Sequence, residues 1–174
     1  MEMSAIRQFV SAVEEFLAFV EGEPLPPDEE VPAIVRHLKA LLFRAESVFL
    51  HPAGFLADEE ENTDEDVRMK AHTEQHQRVV SRFAHLPFQV YGEVFTPHEY
   101  NPDDPESKPI MGWLSDDLAD IYDDLQKGYQ LWLAGKEDDA CFEWRILYFH
   151  WGHHATTALY ALDTYRCENQ LFNT

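Results

Sequence analysis

Apolar residues recur at spacings of three and four in each long stretch of this chain, and that period specifies amphipathic helices. Ile6, Phe9, Val10, Val13, Phe16, Leu17 and Val20 make the first stripe, with Ser4 placed to cap it and Gly22 to end it. Prolines in residues 23–27 form a stiff connector. Asp28 opens a second helix, with Glu29 and Glu30 at its positive end and Pro32 tolerated in its first turn. Its buried face is Ile34, Val35, Leu38, Leu41, Leu42, Ala45, Val48 and Phe49, and Pro52 and Gly54 stop it. A third helix is predicted over 64–84, where Met69, Val79, Val80 and Phe83 share a line with His72 and His76. A fourth over 116–134 is capped by Ser115 and closed by Gly135, and a fifth runs over 137–165. The expected fold is all-α: one domain over 1–174, a bundle of about five helices of the up-and-down kind.

Three stretches break the pattern. Residues 57–66 form an acidic loop expected to be mobile, and 168–174 a tail expected to fray. Between 86 and 112, Pro87, Pro97, Pro102, Pro105 and Pro109 forbid a continuous helix. Phe88, Val90, Tyr91, Val94, Phe95 and Tyr100 are nevertheless too apolar for a solvated linker. A loop this long in a compact domain is usually functional or packed over something. It reads as an extended segment laid across the bundle, with room for one helical turn around 90–95; nothing in the chain alternates convincingly with period two.

The 13 Lys+Arg against 33 Asp+Glu give a formal net charge of −20. Such a surface repels nucleic-acid phosphates and anionic membranes, so neither is an expected direct partner. Its plain meaning is solubility; its sharper one is an acidic inhibitor that mimics nucleic acid toward a basic protein. Cys141 and Cys167 form no C-x-x-C pair, which excludes ribbon-type zinc and thioredoxin chemistry and fits reduced thiols. The acidic N-terminus does not read as a signal peptide, and no apolar run approaches the roughly 18–20 residues that span a bilayer. A cytoplasmic location is expected.

The chemistry concentrates in residues 143–154, where Glu143, Arg145, His150, His153 and His154 stand among Trp144, Tyr148, Phe149 and Trp151. Ionisable groups in so aromatic a setting need partners. On a helical wheel His154 lies about 40° and Glu143 about 20° from His150. His150 and His154 are one turn apart, roughly 6 Å, which lets two imidazoles meet one ion; Glu143, two turns from His150, belongs to another level. Arg145 falls about 160° from Glu143 and points elsewhere.

On the fourth helix, Asp117, Asp120 and Asp124 share an arc of about 60°, while Asp116 and Asp123 turn outward to solvent. Gly128 lies near that line and admits the close approach of a helix or an aromatic ring. A short turn brings helices four and five together antiparallel, and with them the aspartates and the His150 region. His72 and His76 make a second i,i+4 pair. No Glu-x-x-His repeat, phosphate loop or nucleophile elbow is present, and Cys141 sits among acids that raise its pKa.

The motif Leu114-Ser-Asp-Asp-Leu-Ala-Asp-Ile-Tyr-Asp-Asp-Leu125, followed by Glu143-Trp-Arg and by His150-Trp-Gly with His154, resembles an uncharacterised bacterial family of all-helical proteins, a domain of unknown function. The resemblance covers residues 88–162. It implies a helical domain in a bacterial cytoplasm and marks Asp117, Asp120, Glu143, Arg145, His150 and His154 as the family-type polar set. It implies no activity.

Three readings stand. The first is a non-enzymatic binding or interaction protein for an unidentified protein or small molecule. In it a network of Asp117, Asp120, Asp124, Glu143, Arg145, His150, Trp151 and His154 fixes helices four and five, with a pocket under the crossing segment and no cofactor required. The second is a divalent-metal or small-molecule site built on His150 and His154 with Asp117 or Asp120, and a lesser candidate at His72 and His76. The third is the acidic mimic.

Overall fold

The computed structural model describes residues 4–51, 65–94 and 96–172, except for the side chains of 65–68 and 106. Its elements are α1 (Ala5–Glu21), α2 (Pro27–Arg44), α3 (Glu46–Leu50), α4 (Glu65–Phe83), β1 (Val90–Glu93), β2 (Ile110–Trp113), α5 (Leu114–Leu133), α6 (Glu137–Ile146) and α7 (Tyr148–Glu168). The fold is all-α with one small hairpin. At its centre is α5, which packs against α1, α4, α6 and α7, while α2 lies along α1 and α7.

The predicted stripes become the core. Phe9, Val13 and Phe16 of α1, Ile34, Leu38 and Leu41 of α2, and Leu114, Leu118, Ile121 and Leu125 of α5 are fully buried. Each such side chain contributes about 1.5–3 kcal/mol relative to exposure. Trp144 and Trp151 fill the space between them, with Phe9 edge-on to Trp144 at 5.2 Å. The apolar line of α4 is buried only toward its end, at Val79 and Phe83; Met69 is 64% exposed.

Two predicted helices are each broken once, so among the described residues the expected five become seven. The second turns at Ala45 through i→i−3 hydrogen bonds, Ala45 N to Leu42 O and Val48 N to Ala45 O, and α3 then packs on α6 and α1. The fifth bends at Leu147, whose ψ of −3° opens the helix; α6 follows α5 and α3, and α7 follows α5 and α2. A straight helix would miss one set of partners. Phe49, expected inside, is left at the edge and stands perpendicular to Tyr148 at 5.1 Å.

Residues 86–112 form neither a plain extended strap nor a helical turn at 90–95. Their flanks pair as an antiparallel hairpin, Val90 with Trp113, Tyr91 with Gly112, Gly92 with Met111 and Glu93 with Ile110. Two 3-10 turns, Pro97–Glu99 and Pro105–Ser107, lie between the strands. A Cβ on Gly112 would meet the Tyr91 ring at 2.7 Å, so only glycine lets that ring lie flat across β2. The hairpin also starts α5: Leu114 N donates to Gln89 O, Ser115 sits inside the helix rather than capping it, and the cap position is Trp113.

Ser4 occupies the cap of α1 but its hydroxyl makes no capping bond. Gly135, at φ 77°, closes α5 as expected. The end of α7 is capped rather than frayed through 172. Gln170 turns left-handed, Leu171 N returns to Arg166 O, and Arg166 lies over the Phe172 ring. The acidic loop falls outside the described residues as far as 64, and residues 65 and 66 belong to α4. Among the described residues no helix is long and apolar enough to cross a membrane.

Candidate metal centre

The aspartates of α5 divide between its two polar neighbours. Toward α7, Asp117 Oδ1 lies 2.7 Å from His154 Nδ1 and Asp124 Oδ2 lies 2.7 Å from His150 Nδ1. Both carboxylates are buried. An ionised carboxylate only accepts, so each Nδ1 carries a proton, and in a neutral imidazole Nε2 is then a lone pair. The two Nε2 atoms face one another at 3.3 Å, with the rings nearly perpendicular. Asp120 Oδ2 lies 3.5 Å from His154 Nε2. One ligand atom from each of Asp120, His150 and His154 lies within 4.8 Å of the other two.

With both Nδ1 atoms protonated, the facing Nε2 atoms are satisfied by a proton or a cation between them. Two lone pairs at 3.3 Å repel; a proton shared between them or a cation removes the repulsion. Burial alone would lower the His154 pKa, but the hydrogen bond that His154 donates to Asp117 and the charges of Asp117, Asp120 and Glu93 raise it overall. Burial pushes the Asp120 carboxyl up, against the pull of His154 and His150. His150 is 41% exposed at its side chain, the most open of the three groups.

Other residues of the expected network lie apart from these three. Glu143 is beyond the Leu147 bend, where burial raises its carboxyl and Lys127 and Asp124 are the charges it feels. Arg145 donates to the carbonyls of Val48, at 2.8 Å, and His51, closing the C-terminal end of α3; it takes no part in the centre. Trp151 is core, its Nε1 donating to Trp144 O at 3.0 Å. Gly128 admits an aromatic ring: Trp144 Nε1 donates to Leu125 O, and a Cβ on Gly128 would lie 2.3 Å from that nitrogen.

Toward α4, His76 Nδ1 lies 2.9 Å from Asp123 Oδ2 and His76 Nε2 lies 3.1 Å from Asp116 Oδ1. His72 Nε2 lies 3.5 Å from Asp123, and Gln75 donates to the other Asp123 oxygen. Asp123 is therefore buried and paired, not solvated as the wheel suggested: α4 covers that side of α5. Burial would lower the His76 pKa, but Asp123 and Asp116 raise it. Both His76 nitrogens are occupied, and the His72 and His76 rings lie 6.4 Å apart, nearly parallel, without converging.

The hairpin adds residues that the wheels omitted. Tyr91 donates its hydroxyl to Asp117 Oδ2 at 2.5 Å and lies 3.0 Å from Thr157 Oγ1; burial first and Asp117 second push the phenol pKa up. Glu93 Oε2 lies 3.9 Å from His153 Nε2. The only trace of them in the sequence is a four-residue alternation interrupted by Gly92.

A model of a domain of unknown function, DUF5063, matches residues 2–168. The chain belongs to the DUF5063 family. The match takes in α1 to α4 as well as the α5–α7 motifs that first suggested such a family. No curated protein matches the chain. Among solved structures, protein BF1032 from Bacteroides fragilis, a structural genomics target, is similar with a TM-score of 0.61 and 21% identity over 94% of this chain and 96% of that one. That likeness shows the fold alone. No activity for a DUF5063 chain comes with either comparison.

Proposed function

We propose that this DUF5063 protein binds one divalent transition-metal ion with His150, His154 and Asp120, while Asp124 and Asp117 orient the two imidazoles. The observation that carries the reading is the pair of facing Nε2 atoms, each ring held from behind by a buried carboxylate. Carboxylate–histidine pairing of this kind fixes the tautomer and ring orientation that metal ligation needs. Two nitrogens bonded to one ion at about 2.1 Å in tetrahedral geometry stand about 3.4 Å apart. Here they stand at 3.3 Å. Two histidines and one carboxylate favour zinc, iron or cobalt over magnesium or calcium.

The test is elemental analysis of protein purified without an affinity tag, together with melting curves in added zinc or cobalt. The expected results are bound metal near one equivalent, and a rise in melting temperature that His150→Ala and His154→Ala each abolish. No stoichiometric metal and no shift would refute it.

A second reading, an interaction protein in which the network only packs α5 on α7, is favoured by the burial of Asp117 and Asp124. It predicts that His150→Ala destabilises metal-free protein by about 1–3 kcal/mol while added metal changes nothing. The acidic-mimic reading draws no support from Asp117, Asp123, Asp124 and Glu30, which face inward instead of being displayed.

A further inference from the structure

The hairpin meets the interface of α5 and α7 through Tyr91. Its hydroxyl donates to Asp117 Oδ2 at 2.5 Å and lies 3.0 Å from Thr157 Oγ1, on the next turn of α7 after His154. Asp117 Oδ1 accepts from His154 Nδ1 at 2.7 Å, so both oxygens of this buried carboxylate are taken. The route from hairpin to His154 is two hydrogen bonds with one carboxylate between them. It enters the ring at Nδ1 and leaves Nε2 to face His150. The Tyr91 ring lies against Gly112, so its hydroxyl moves only with β2. The strands are short and open. Val90, Met111 and Trp113 on their outer face are about half exposed, and two strands alone are marginal in water.

We infer that Tyr91 positions His154 for the metal through Asp117, so that hairpin docking and metal occupancy strengthen one another; this rests on the metal reading above. An ion on Nε2 fixes the His154 ring, and with it the Asp117 carboxylate that accepts from Nδ1. The Tyr91 hydroxyl then meets an acceptor already in place, and docking the hairpin has less left to order. In the other direction, the docked hydroxyl holds Asp117 where His154 needs it before the ion arrives. Such coupling is reciprocal: the factor by which the docked hairpin raises metal affinity is the factor by which metal favours docking. Removing a group that orients a ligand directly weakens binding about 10–100-fold; Tyr91 acts one bond further out, and its share is about three- to tenfold.

The experiment uses the full chain, wild type and Tyr91→Phe, with cobalt(II) as the probe. Two quantities are read: cobalt affinity from the visible absorption of the bound ion, and amide hydrogen exchange at 90–93 and 110–113 with and without saturating cobalt. The amides of α1 serve as reference, because any bound ligand slows exchange through global opening. Expected is a cobalt affinity about threefold or more weaker in Tyr91→Phe. In wild type, cobalt should slow hairpin exchange beyond its effect on α1 by a similar factor, and in the variant no more than it slows α1. A bond that only held the fold together would lower the melting temperature and move neither reading. Cobalt affinity weakened less than about threefold, or wild-type hairpin exchange slowed no more than α1, would overturn the inference and leave the metal reading standing. If far-UV circular dichroism shows Tyr91→Phe unfolded, the wild-type exchange measurement decides alone. Failure of the wild type to bind cobalt at all would overturn the metal reading, and this inference with it.

Discussion

Tyr91 donates its hydroxyl to Asp117 across 2.5 Å, and the other oxygen of Asp117 holds His154. One buried carboxylate therefore ties the hairpin to the ring that faces His150. Tyr91→Phe removes the donor and leaves an acceptor unpaired, at an expected cost of about 1–3 kcal/mol in urea unfolding. Combined with Asp117→Asn in a double-mutant cycle, the two changes should be strongly non-additive. Additive effects would mean that the hydroxyl and the carboxylate do not act together.

Gly128 faces the indole of Trp144, and that contact decides between two opposing effects of Gly128→Ala. Alanine gains about 1 kcal/mol of helix propensity over glycine. Its Cβ would sit 2.3 Å from Trp144 Nε1, a clash with a fully buried ring whose N–H is bonded to Leu125 O. Overpacking of this kind costs about 1–3 kcal/mol, so the net effect should be destabilising, with a changed near-UV tryptophan signal. An alanine variant more stable than wild type would show that the indole moves aside freely.

How far the sequence foretold this arrangement differs from element to element. The α1 stripe, the α2 face and the approach of an aromatic ring at Gly128 follow from helical spacing and from the absence of a side chain. The bends at Ala45 and Leu147 leave no mark, since neither involves proline or glycine; each comes from a change of packing partners. Asp123 was misplaced because a helical wheel knows one buried side, whereas α5 is covered on two, by α7 and by α4. The hairpin was hidden by strands of four residues each, with Gly92 and Gly112 interrupting the alternation. Through that pairing Tyr91 reaches Asp117 and Glu93 reaches His153, and no local pattern in the chain announces it.

The two cysteines should react differently. Cys141 is fully buried, and burial first and Asp138 second push its thiol up to about 11. Cys167 is exposed near the end of α7. With 5,5′-dithiobis(2-nitrobenzoic acid) at about pH 8, one thiol should be modified quickly and the second only on unfolding, because the thiolate is the nucleophile. Rapid reaction of both in the native protein would place Cys141 nearer the surface than α6 puts it.

His37 stacks on Phe19 with ring centroids 4.7 Å apart, and burial lowers its pKa despite the opposing charge of Glu15. The unfolded chain takes up this proton near the ordinary value of 6.5, and the folded chain only at lower pH. Below about pH 6.5 the unfolded state therefore binds more protons, and stability falls as the pH drops toward the lowered folded value. His37→Gln should flatten that part of the stability curve, read from urea midpoints between about pH 7.5 and 5. An identical slope in variant and wild type would mean that His37 titrates alike in both states.

Asp124 offers a way to separate orientation from ligation. It holds His150 through Nδ1 and lies on the far side of the ring from the facing Nε2 atoms. Removing such an orienting carboxylate weakens metal binding by about 10–100-fold while every ligand stays in place. Asp124→Ala should therefore lower zinc or cobalt affinity by that factor. Asp124→Asn, whose amide oxygen still accepts from Nδ1–H, should lose less. Glu143→Gln should leave affinity unchanged, because Glu143 lies beyond the Leu147 bend and feels Asp124 and Lys127 without being among the converging groups. If Glu143→Gln weakened binding as much as Asp124→Ala, the metal would lie nearer α6, and the pairing of His150 with His154 would not be its seat.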